Sequence, residues 1–184
     1  MGDFNQVPIV GQSRLPMLRE LHKELGIPAD YGQAGNLPAF AEAAELVEVG
    51  PNLVGRMQRL TSTAAARWAE MVVAANQDGV MLLLVSGFRS VDYQARLIRK
   101  KLNDGQKIEQ ILTVNAAPGF SEHHTGKAVD IATPGSRPLT EEFETTPAFA
   151  WLGENAARFG FSMSYPRDNA CGFVYEPWHW SIKD

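Results

Sequence analysis

The segment SEHHTGKAVDI, Ser121 to Ile131, constrains the possible fold more than any other part of the chain. It holds two of the four histidines, His123 and His124, and an aspartate seven residues after the first of them. In a helix, His123 and Asp130 would share a face, but a rise of about 10.5 Å would strain their convergence on one ion. Gly126 and the β-branched residues after it favour a loop that enters a strand, with Asp130 pointing inward. The segment therefore predicts either a plain polar loop or part of a metal site.

A second pairing of histidine and carboxylate occurs near the end of the chain, in YEPWHW. Pro177 breaks the strand alternation there, which lets Glu176 and His179 reach one pocket. Taken alone, an aromatic edge strand with polar groups facing solvent is the simpler interpretation. Together, the two segments offer two histidines and an aspartate as ligands, with a glutamate to spare. Three protein ligands and an open position for water are typical of catalytic zinc, whereas structural zinc is usually closed by four ligands.

The other two histidines have simpler interpretations. His22 is expected on a helix as a surface or half-buried residue. His124 is expected either to face away from the metal or to lie beside the ligands or the substrate.

Composition defines the protein around this candidate site. The chain has 184 residues, of which 45% are hydrophobic and 21% charged, and this fits one globular domain with a sizeable core. A net charge of −4, with acids and bases intermixed, argues against the broad basic surface that nucleic acid binding requires. Cys171 is the single cysteine, so no intramolecular disulfide is expected, and we interpret it as a small core residue.

Neither a leader nor a membrane span is predicted. The N-terminal stretch MGDFNQVPIVGQSRLP lacks a basic segment followed by a long apolar one, so no signal peptide is visible, although a chain trimmed of its leader would look the same. The strongest apolar run, VMLLLV at Val80–Val85, has the length of a strand and falls well short of the roughly 20 residues that span a bilayer.

Apolar spacing and the placement of proline, serine and glycine predict a series of helices. They are expected at Pro16–Leu25, Asn36–Val49, Val54–Gln77, from a cap at Ser90 through Asn103, at Glu109–Val114 and at Pro147–Phe159. Strands are expected at VMLLLV, which we predict to be buried on both faces, at the end of SEHHTGKAVDI and in the tail FVYEPWHWSI. Helices lead and strands gather late, which favours an α+β fold over a regular βαβ alternation.

Three blocks of this sequence together carry a family resemblance. SGFRS, SEHHTGKAVDI and EPWHW, in this order, resemble the signature of the LAS metallopeptidases, specifically the VanY-type D-alanyl-D-alanine carboxypeptidases. The shared pattern is S-x-H-x6-D followed by E-x-x-H, with an upstream arginine in an SGxRS turn. The blocks span Ser86 to Trp180, about half of the chain. The resemblance implies an α+β fold of the hedgehog and DD-peptidase type, with a small antiparallel sheet flanked by helices.

The resemblance also implies roles for particular residues. It implies one zinc ion bound by His123, Asp130 and His179. Glu176 would be the catalytic acid and base, and Arg89 would lie beside the scissile carbonyl.

Substrate contacts and domain limits are further expectations. Ser121 and Gln94 stand where related enzymes are expected to contact the peptide end, and Trp178 either shapes the pocket wall or is purely structural. Residues 1–50 carry no family motif, and we expect them to form a helical extension packed on the same domain. Residues 51–184 are expected to form the catalytic domain.

The function implied is that of a zinc D,D-carboxypeptidase acting in the cell envelope or periplasm. Its partner would be a peptidoglycan stem peptide or precursor ending in D-Ala-D-Ala. An L,D-carboxypeptidase or a phage-type endopeptidase would use the same zinc chemistry. A non-catalytic zinc or peptidoglycan-binding module is a different class, and the presence of Glu176 and Arg89 argues against it. A serine hydrolase built on Ser86 or Ser90 has less support, because no histidine adjoins either residue in sequence.

Overall fold

The computed structural model describes residues 15–33 and 37–183. The first 14 residues of the predicted extension, and with them most of the stretch searched for a signal peptide, lie outside the described residues. So does Asn36, the first residue of the second predicted helix.

Helices and strands are interspersed along the described part of the chain, and the main sheet is antiparallel, as in an α+β fold. The α-helices are α1 Leu15–Glu24, α2 Ser62–Gln77, α3 Val91–Asn103, α4 Ile108–Val114 and α5 Pro147–Asn155. The strands are β1 Val47–Pro51, β2 Met57–Leu60, β3 Leu83–Ser86, β4 Ala128–Ala132, β5 Phe161–Met163 and β6 His179–Ile182. Short 3-10 turns occupy Glu122–Thr125, Glu141–Thr145 and Ala156–Phe159.

The main sheet is antiparallel, with strand order β3-β4-β6-β5, and β1 pairs with β2 in a separate hairpin. All five residues of β4 are buried, because it pairs on both sides and is covered on both faces. The sequence predicted this degree of burial for Val80–Val85 instead, and that prediction was wrong. The strand in that segment, β3, begins only at Leu83, lies at an edge of the sheet and is mostly half-buried.

Several predicted helices are confirmed to within about a residue. The Ser90 side chain caps α3 by accepting a hydrogen bond from the Tyr93 backbone N–H at 3.0 Å. The predicted helix Pro147–Phe159 is α-helical to Asn155 and then tightens into a 3-10 turn. Gly160 ends it with a left-handed φ of 78°, a conformation that glycine adopts at little cost.

The helix predicted at Asn36–Val49 is wrong over its described part. Residues 37–46 form no helix, and β1 starts at Val47. The alanines and glutamates of this segment do favour helix, but its backbone bonds elsewhere. The Phe40 N–H donates to Gly119 O at 2.7 Å, and the Ala43 N–H donates to His124 O at 2.8 Å. These tertiary hydrogen bonds outweigh the local propensity.

The helix predicted from Val54 begins later, at Ser62. β2 occupies Met57–Leu60 before it, and Thr61 then caps the helix by accepting from the Ala64 N–H at 3.3 Å. The tail is likewise less regular than predicted, because the strand starts only at His179. Pro177, which has no N–H to donate, lies two residues before it.

Two hydrophobic clusters lie around the main sheet. The larger one includes Leu60, Trp68 and Met71 from the β2–α2 region, packed with Leu152 and Trp180. The smaller one joins the α1 end of the chain to α3 and α4, and half-buried Cys171 packs against it.

His22, on α1, is buried at 6% exposure, and this corrects its predicted surface or half-buried position. Its Nε2–H donates to Pro118 O at 2.7 Å, so the ring ties α1 to the loop before the 3-10 turn at Glu122–Thr125.

Among the described residues, no helix has both the length and the apolar character needed to cross a bilayer.

Candidate metal centre and active site

The sheet register brings two of the predicted ligands together. Asp130 in β4 pairs directly with His179 in β6. Side chains paired in this way share one face of the sheet, with Cβ atoms about 4.5–5.5 Å apart. The His179 Nδ1 atom lies 3.0 Å from Asp130 Oδ1. Residues separated by 49 positions in sequence thus become immediate neighbours.

The third predicted ligand comes from the 3-10 turn that leads into β4. His123 Nε2 lies 3.2 Å from Asp130 Oδ2, and the ring centroids of His123 and His179 are 4.9 Å apart. Gly126 links this turn to β4 with a φ of 65°. A Cβ at Gly126 would also lie 2.8 Å from Leu46 Cδ2 and 3.2 Å from the Thr61 backbone nitrogen, so a larger residue would crowd this turn.

These three residues fit a zinc ion. One ligand atom from each lies within 4.8 Å of the others, and all three residues are at most 4% exposed. The His123 Nδ1–H donates to Gly87 O at 2.6 Å, which leaves the lone pair on Nε2. That Nε2 is buried and accepts no hydrogen bond from any residue in the described part of the chain. A buried acceptor without a donor is costly unless a metal uses its lone pair. Two imidazole nitrogens and one carboxylate form a donor set that suits zinc.

Charges within the cluster shift the pKa values of its members. Burial opposes a charged His179, but hydrogen bonds to Asp130 and Glu122 outweigh burial and raise the pKa of His179 to about 9. Burial, helped by the Arg89 guanidinium, lowers the pKa of His123 to about 4. Burial also opposes the Asp130 carboxylate, yet the two histidines hold its pKa well below the usual range. At neutral pH the cluster thus contains an ionised carboxylate, a neutral His123 and a protonated His179.

Glu176 lies beside this cluster in the segment before β6. Its backbone is fixed on both sides, since its N–H donates to Tyr165 O at 3.0 Å and its carbonyl accepts from the His179 N–H at 3.1 Å. Burial raises the pKa of Glu176 to about 7 against the opposing charge of His179. A carboxyl group that titrates near neutral pH suits general acid and base catalysis.

Arg89 is held by the histidine pair. Its backbone N–H donates to His123 O at 3.1 Å, and its carbonyl accepts from His124 Nδ1–H at 2.6 Å. Its Nε is buried and has no hydrogen-bond acceptor among residues 15–33 and 37–183. The guanidinium therefore retains donor capacity at the cavity wall.

His124 has a supporting position and faces away from the three predicted ligands. Its Nε2 accepts from the Gly119 N–H at 3.0 Å, while Nδ1–H is bonded to the Arg89 carbonyl. Both ring nitrogens are thus engaged with backbone, and the ring braces the turn that carries Arg89.

A cavity of about 220 Å³ opens over these groups. Ser121 and Trp178, two of the predicted substrate contacts, line it. The third, Gln94, is 1% exposed and donates from Nε2 to Ala116 O at 2.8 Å, behind the residue that forms the wall.

Several other cavity residues were not predicted from the sequence, among them Lys101, Asn115 and Tyr165. Lys101 follows Gln94 by seven residues on α3, a helical spacing that places both on one face and was available in the sequence.

Comparison with known proteins agrees with the geometry. A family model described as VanY, D-alanyl-D-alanine carboxypeptidase, matches residues 57–183. A D-alanyl-D-alanine carboxypeptidase of Enterococcus faecalis is 35% identical over 117 residues, which cover 58% of this chain and 42% of that protein. The chain spans about half the length of the curated relatives it matches.

Solved structures show the same fold. The LdcB LD-carboxypeptidase superposes with a TM-score of 0.69 at 30% identity, covering 79% of this chain and 72% of that one. A mutant of the vancomycin-resistance D,D-pentapeptidase VanY in complex with Zn(II) gives a TM-score of 0.58 at 30% identity, covering 75% and 78% of the two chains.

Proposed function

Because this chain belongs to the VanY family of D-alanyl-D-alanine carboxypeptidases, which are zinc metallopeptidases, we propose that it is a zinc-dependent D-alanyl-D-alanine carboxypeptidase. Its substrate would be a peptidoglycan stem peptide or precursor ending in D-Ala-D-Ala, and its place of action the cell envelope. The observation that carries the proposal is one cavity that combines a buried His-Asp-His cluster, a carboxyl group titrating near neutral pH and an arginine with a free donor.

In this proposal, His123, Asp130 and His179 hold one zinc ion. Bound zinc supplies a Lewis acid and an activated water, with the pKa of that water lowered from 15.7 to about 7. The chain contributes the fixed ligand geometry. The hydrogen bond from His123 to Gly87 sets the orientation of that ring.

Glu176 transfers the proton. As a carboxylate it takes a proton from the attacking water, and as the acid it then delivers that proton to the departing amine of the terminal residue. A pKa of about 7 serves both halves of this transfer, because neither protonation state is strongly disfavoured near neutral pH.

Arg89 stabilises the oxygen that becomes negative when the peptide carbonyl is attacked. Its main chain is held in place, since its N–H and its carbonyl bond the two histidines of the pair. Removal of a comparable donor lowers kcat by about 10²–10³ in other hydrolases.

Substrate binding is assigned by charge and position. Arg89 and Lys101 give the cavity two cationic side chains, which fits a peptide that ends in a free carboxylate better than a mid-chain bond. Ser121 and Trp178 would contact the terminal residue. Gln94 would act from beneath the wall, through the backbone of Ala116.

An L,D-carboxypeptidase is the second candidate function. It is favoured by the likeness to LdcB, which superposes with a higher TM-score than the VanY structure does. The zinc chemistry is the same in both cases. The two functions differ in the stereochemistry of the residue before the scissile bond, so the choice of peptide substrate separates them.

The deciding experiment uses the zinc-loaded protein with a muramyl pentapeptide and a tetrapeptide, and follows products by mass spectrometry. We expect loss of one alanine from the pentapeptide. Cleavage of the tetrapeptide alone would replace the D,D assignment by the L,D one. Binding without cleavage of either peptide would replace both with a non-catalytic module.

Two variants accompany that experiment. Glu176→Ala should bind zinc and lose turnover by at least about 10²-fold, because general acid and base catalysis contributes that much or more. Glu154→Ala, which removes an exposed glutamate of α5 outside the cavity lining, should retain full activity. Full turnover in Glu176→Ala would contradict the proposed role of Glu176.

A further inference from the structure

Glu122, directly before the predicted ligand His123, contacts the other predicted histidine ligand. Its Oε2 atom lies 2.9 Å from His179 Nε2, and its side chain is only 12% exposed. No motif in the sequence assigns a role to this glutamate. The 3-10 turn therefore supplies one histidine directly and reaches the second through a carboxylate.

The contact determines which nitrogen of His179 is available. Glu122 accepts the hydrogen on Nε2, while Nδ1 faces Asp130 at 3.0 Å. When a metal displaces the Nδ1 proton, the ring would be neutral with one hydrogen, and the acceptor at Nε2 would keep that hydrogen there and leave the lone pair on Nδ1. That lone pair points into the cluster formed with Asp130 and His123.

Other groups hold Glu122 in place. Ser164, just after β5, donates its hydroxyl to Glu122 Oε2 at 2.5 Å and also lies 2.9 Å from the Ser181 hydroxyl on β6. The Lys183 ammonium, just after β6, donates to Glu122 Oε1. A mostly buried carboxylate needs such partners to offset its lost hydration. The Ser164 hydroxyl bonds the same oxygen that meets His179, whereas Lys183 bonds the other one, so the serine fixes the direction from which the carboxylate meets the ring.

We propose that Glu122 is a positioning residue for the metal centre, which orients His179 through Nε2 and thereby presents Nδ1 to the ion. The inference rests on the proposed function for the identity of the metal. It does not depend on which peptide is cut, or on whether any peptide is cut.

The test measures zinc affinity by competition with a chromogenic chelator, in the absence of substrate. Glu122→Ala removes the acceptor and should weaken zinc binding about 10–100-fold, the usual effect of losing a carboxylate that orients a ligand histidine. Glu122→Gln keeps an oxygen acceptor without the charge and should show a smaller loss. The visible spectrum of the Co²⁺-substituted protein should change in Glu122→Ala, because the altered ligand changes the ligand field.

Lys183→Met provides the matched control. Lys183 is 54% exposed and donates to the far oxygen of the same carboxylate and to Ser164. The zinc affinity of this variant should stay within about threefold of the parent protein, because Glu122 still contacts His179 Nε2. Thermal unfolding of each variant in chelator measures any general loss of stability separately.

Three outcomes would overturn the inference. The first is that both Glu122 variants have the same zinc affinity and the same Co²⁺ spectrum as the parent protein. The second is an equal loss of affinity in Lys183→Met, which would make the whole charged network structural. The third is zinc affinity in Glu122→Gln equal to that of the parent protein, which decides the question if Glu122→Ala does not fold. A protein that binds zinc normally but cleaves no stem peptide would contradict the proposed function and leave this inference intact.

Discussion

His179 has a different carboxylate at each of its ring nitrogens, Asp130 at Nδ1 and Glu122 at Nε2. These contacts favour the imidazolium and raise its pKa to about 9, so the ring carries two hydrogens at neutral pH. A metal can use Nδ1 only after the proton there has left. Proton and zinc therefore compete for His179.

Because of this competition, zinc binding should depend on pH. Below a pH of about 9, each zinc bound should release close to one proton from His179, and the apparent Kd should fall about tenfold per pH unit toward that value. His123, with a pKa of about 4, is already neutral and should add no release near pH 7.

Calorimetric titration in two buffers of different ionisation enthalpy counts the released protons. A zinc affinity that does not change between pH 6 and 8 would contradict the raised pKa of His179.

Residue types alone predicted most of this neighbourhood. Histidine, aspartate and glutamate at these spacings indicated zinc, and the structure brings His123, Asp130 and His179 together. Their role as ligands stays a prediction. Glu122 was missed because a glutamate beside a histidine in sequence reveals nothing about its contact with a histidine 57 residues away.

At the scale of elements, the 3-10 turn Glu122–Thr125 connects three parts of the site. Its first residue contacts His179, its second contacts Asp130, and its third braces the turn of Arg89. Gly126 allows this short turn to enter β4 directly. Its carbonyl also accepts from the Thr61 N–H at 2.9 Å, which ties the turn to the start of α2.

Gly126→Ala should therefore lower the free energy of unfolding by about 1–3 kcal/mol, the usual cost of holding a non-glycine residue in a left-handed conformation. The added Cβ also approaches Leu46 and the Thr61 nitrogen, at 2.8 and 3.2 Å. Since the turn carries His123, zinc affinity should fall as well. Denaturant unfolding and chelator competition measure the two effects.

Gly153→Ala is the control for that substitution. Gly153 lies within α5, and a Cβ there meets no atom within 4 Å. Alanine in a helix interior is more stable than glycine by about 0.5–1 kcal/mol, so this variant should be more stable and bind zinc normally. An unaltered stability in Gly126→Ala would show that the turn tolerates a side chain.

Elements with local signals were predicted well, and those set by distant contacts were not. Ser90 caps α3 and Gly160 ends the last helix through bonds within the same stretch of chain. The conformation of residues 37–46 is instead set by backbone hydrogen bonds to Gly119 and His124, which no local sequence pattern reveals. The β1–β2 hairpin is an exception, since its hydrogen bonds are local; it was missed because the predicted helices Asn36–Val49 and Val54–Gln77 covered most of its two strands.

At the scale of the molecule, the proposed zinc ion would join β4, β6 and the turn before β4. A ligand that binds only the folded state stabilises it by about 2.7 kcal/mol when its free concentration is 100 times its Kd. We expect zinc to raise Tm and a chelator to reverse the shift. Asp130→Asn should show a much smaller shift, because it removes the anionic ligand. Calorimetric scans with zinc and with chelator test this, and equal shifts in the two proteins would contradict a site at Asp130.

The beginning of the chain contacts the motif region. His22 bonds Pro118, and the segment after residue 37 bonds Gly119 and His124 through its backbone. The family match begins at residue 57, so the early residues that make these contacts lie outside it. A boundary near residue 50 between a helical extension and the catalytic domain stays a prediction.

The residues alone were enough to identify the family of this protein and the side chains that would carry its chemistry, because residue types, spacing and the three motif blocks do not depend on the fold. The sequence also determined the helices whose caps lie within the same stretch of chain. Only the tertiary structure decided which groups meet. The pairing of Asp130 with His179, the contact of Glu122 with the far side of that ring and the burial that raises the pKa of Glu176 all depend on the sheet register. The physical reason is that register and burial arise from packing between distant segments, whereas propensity and capping act within a few residues.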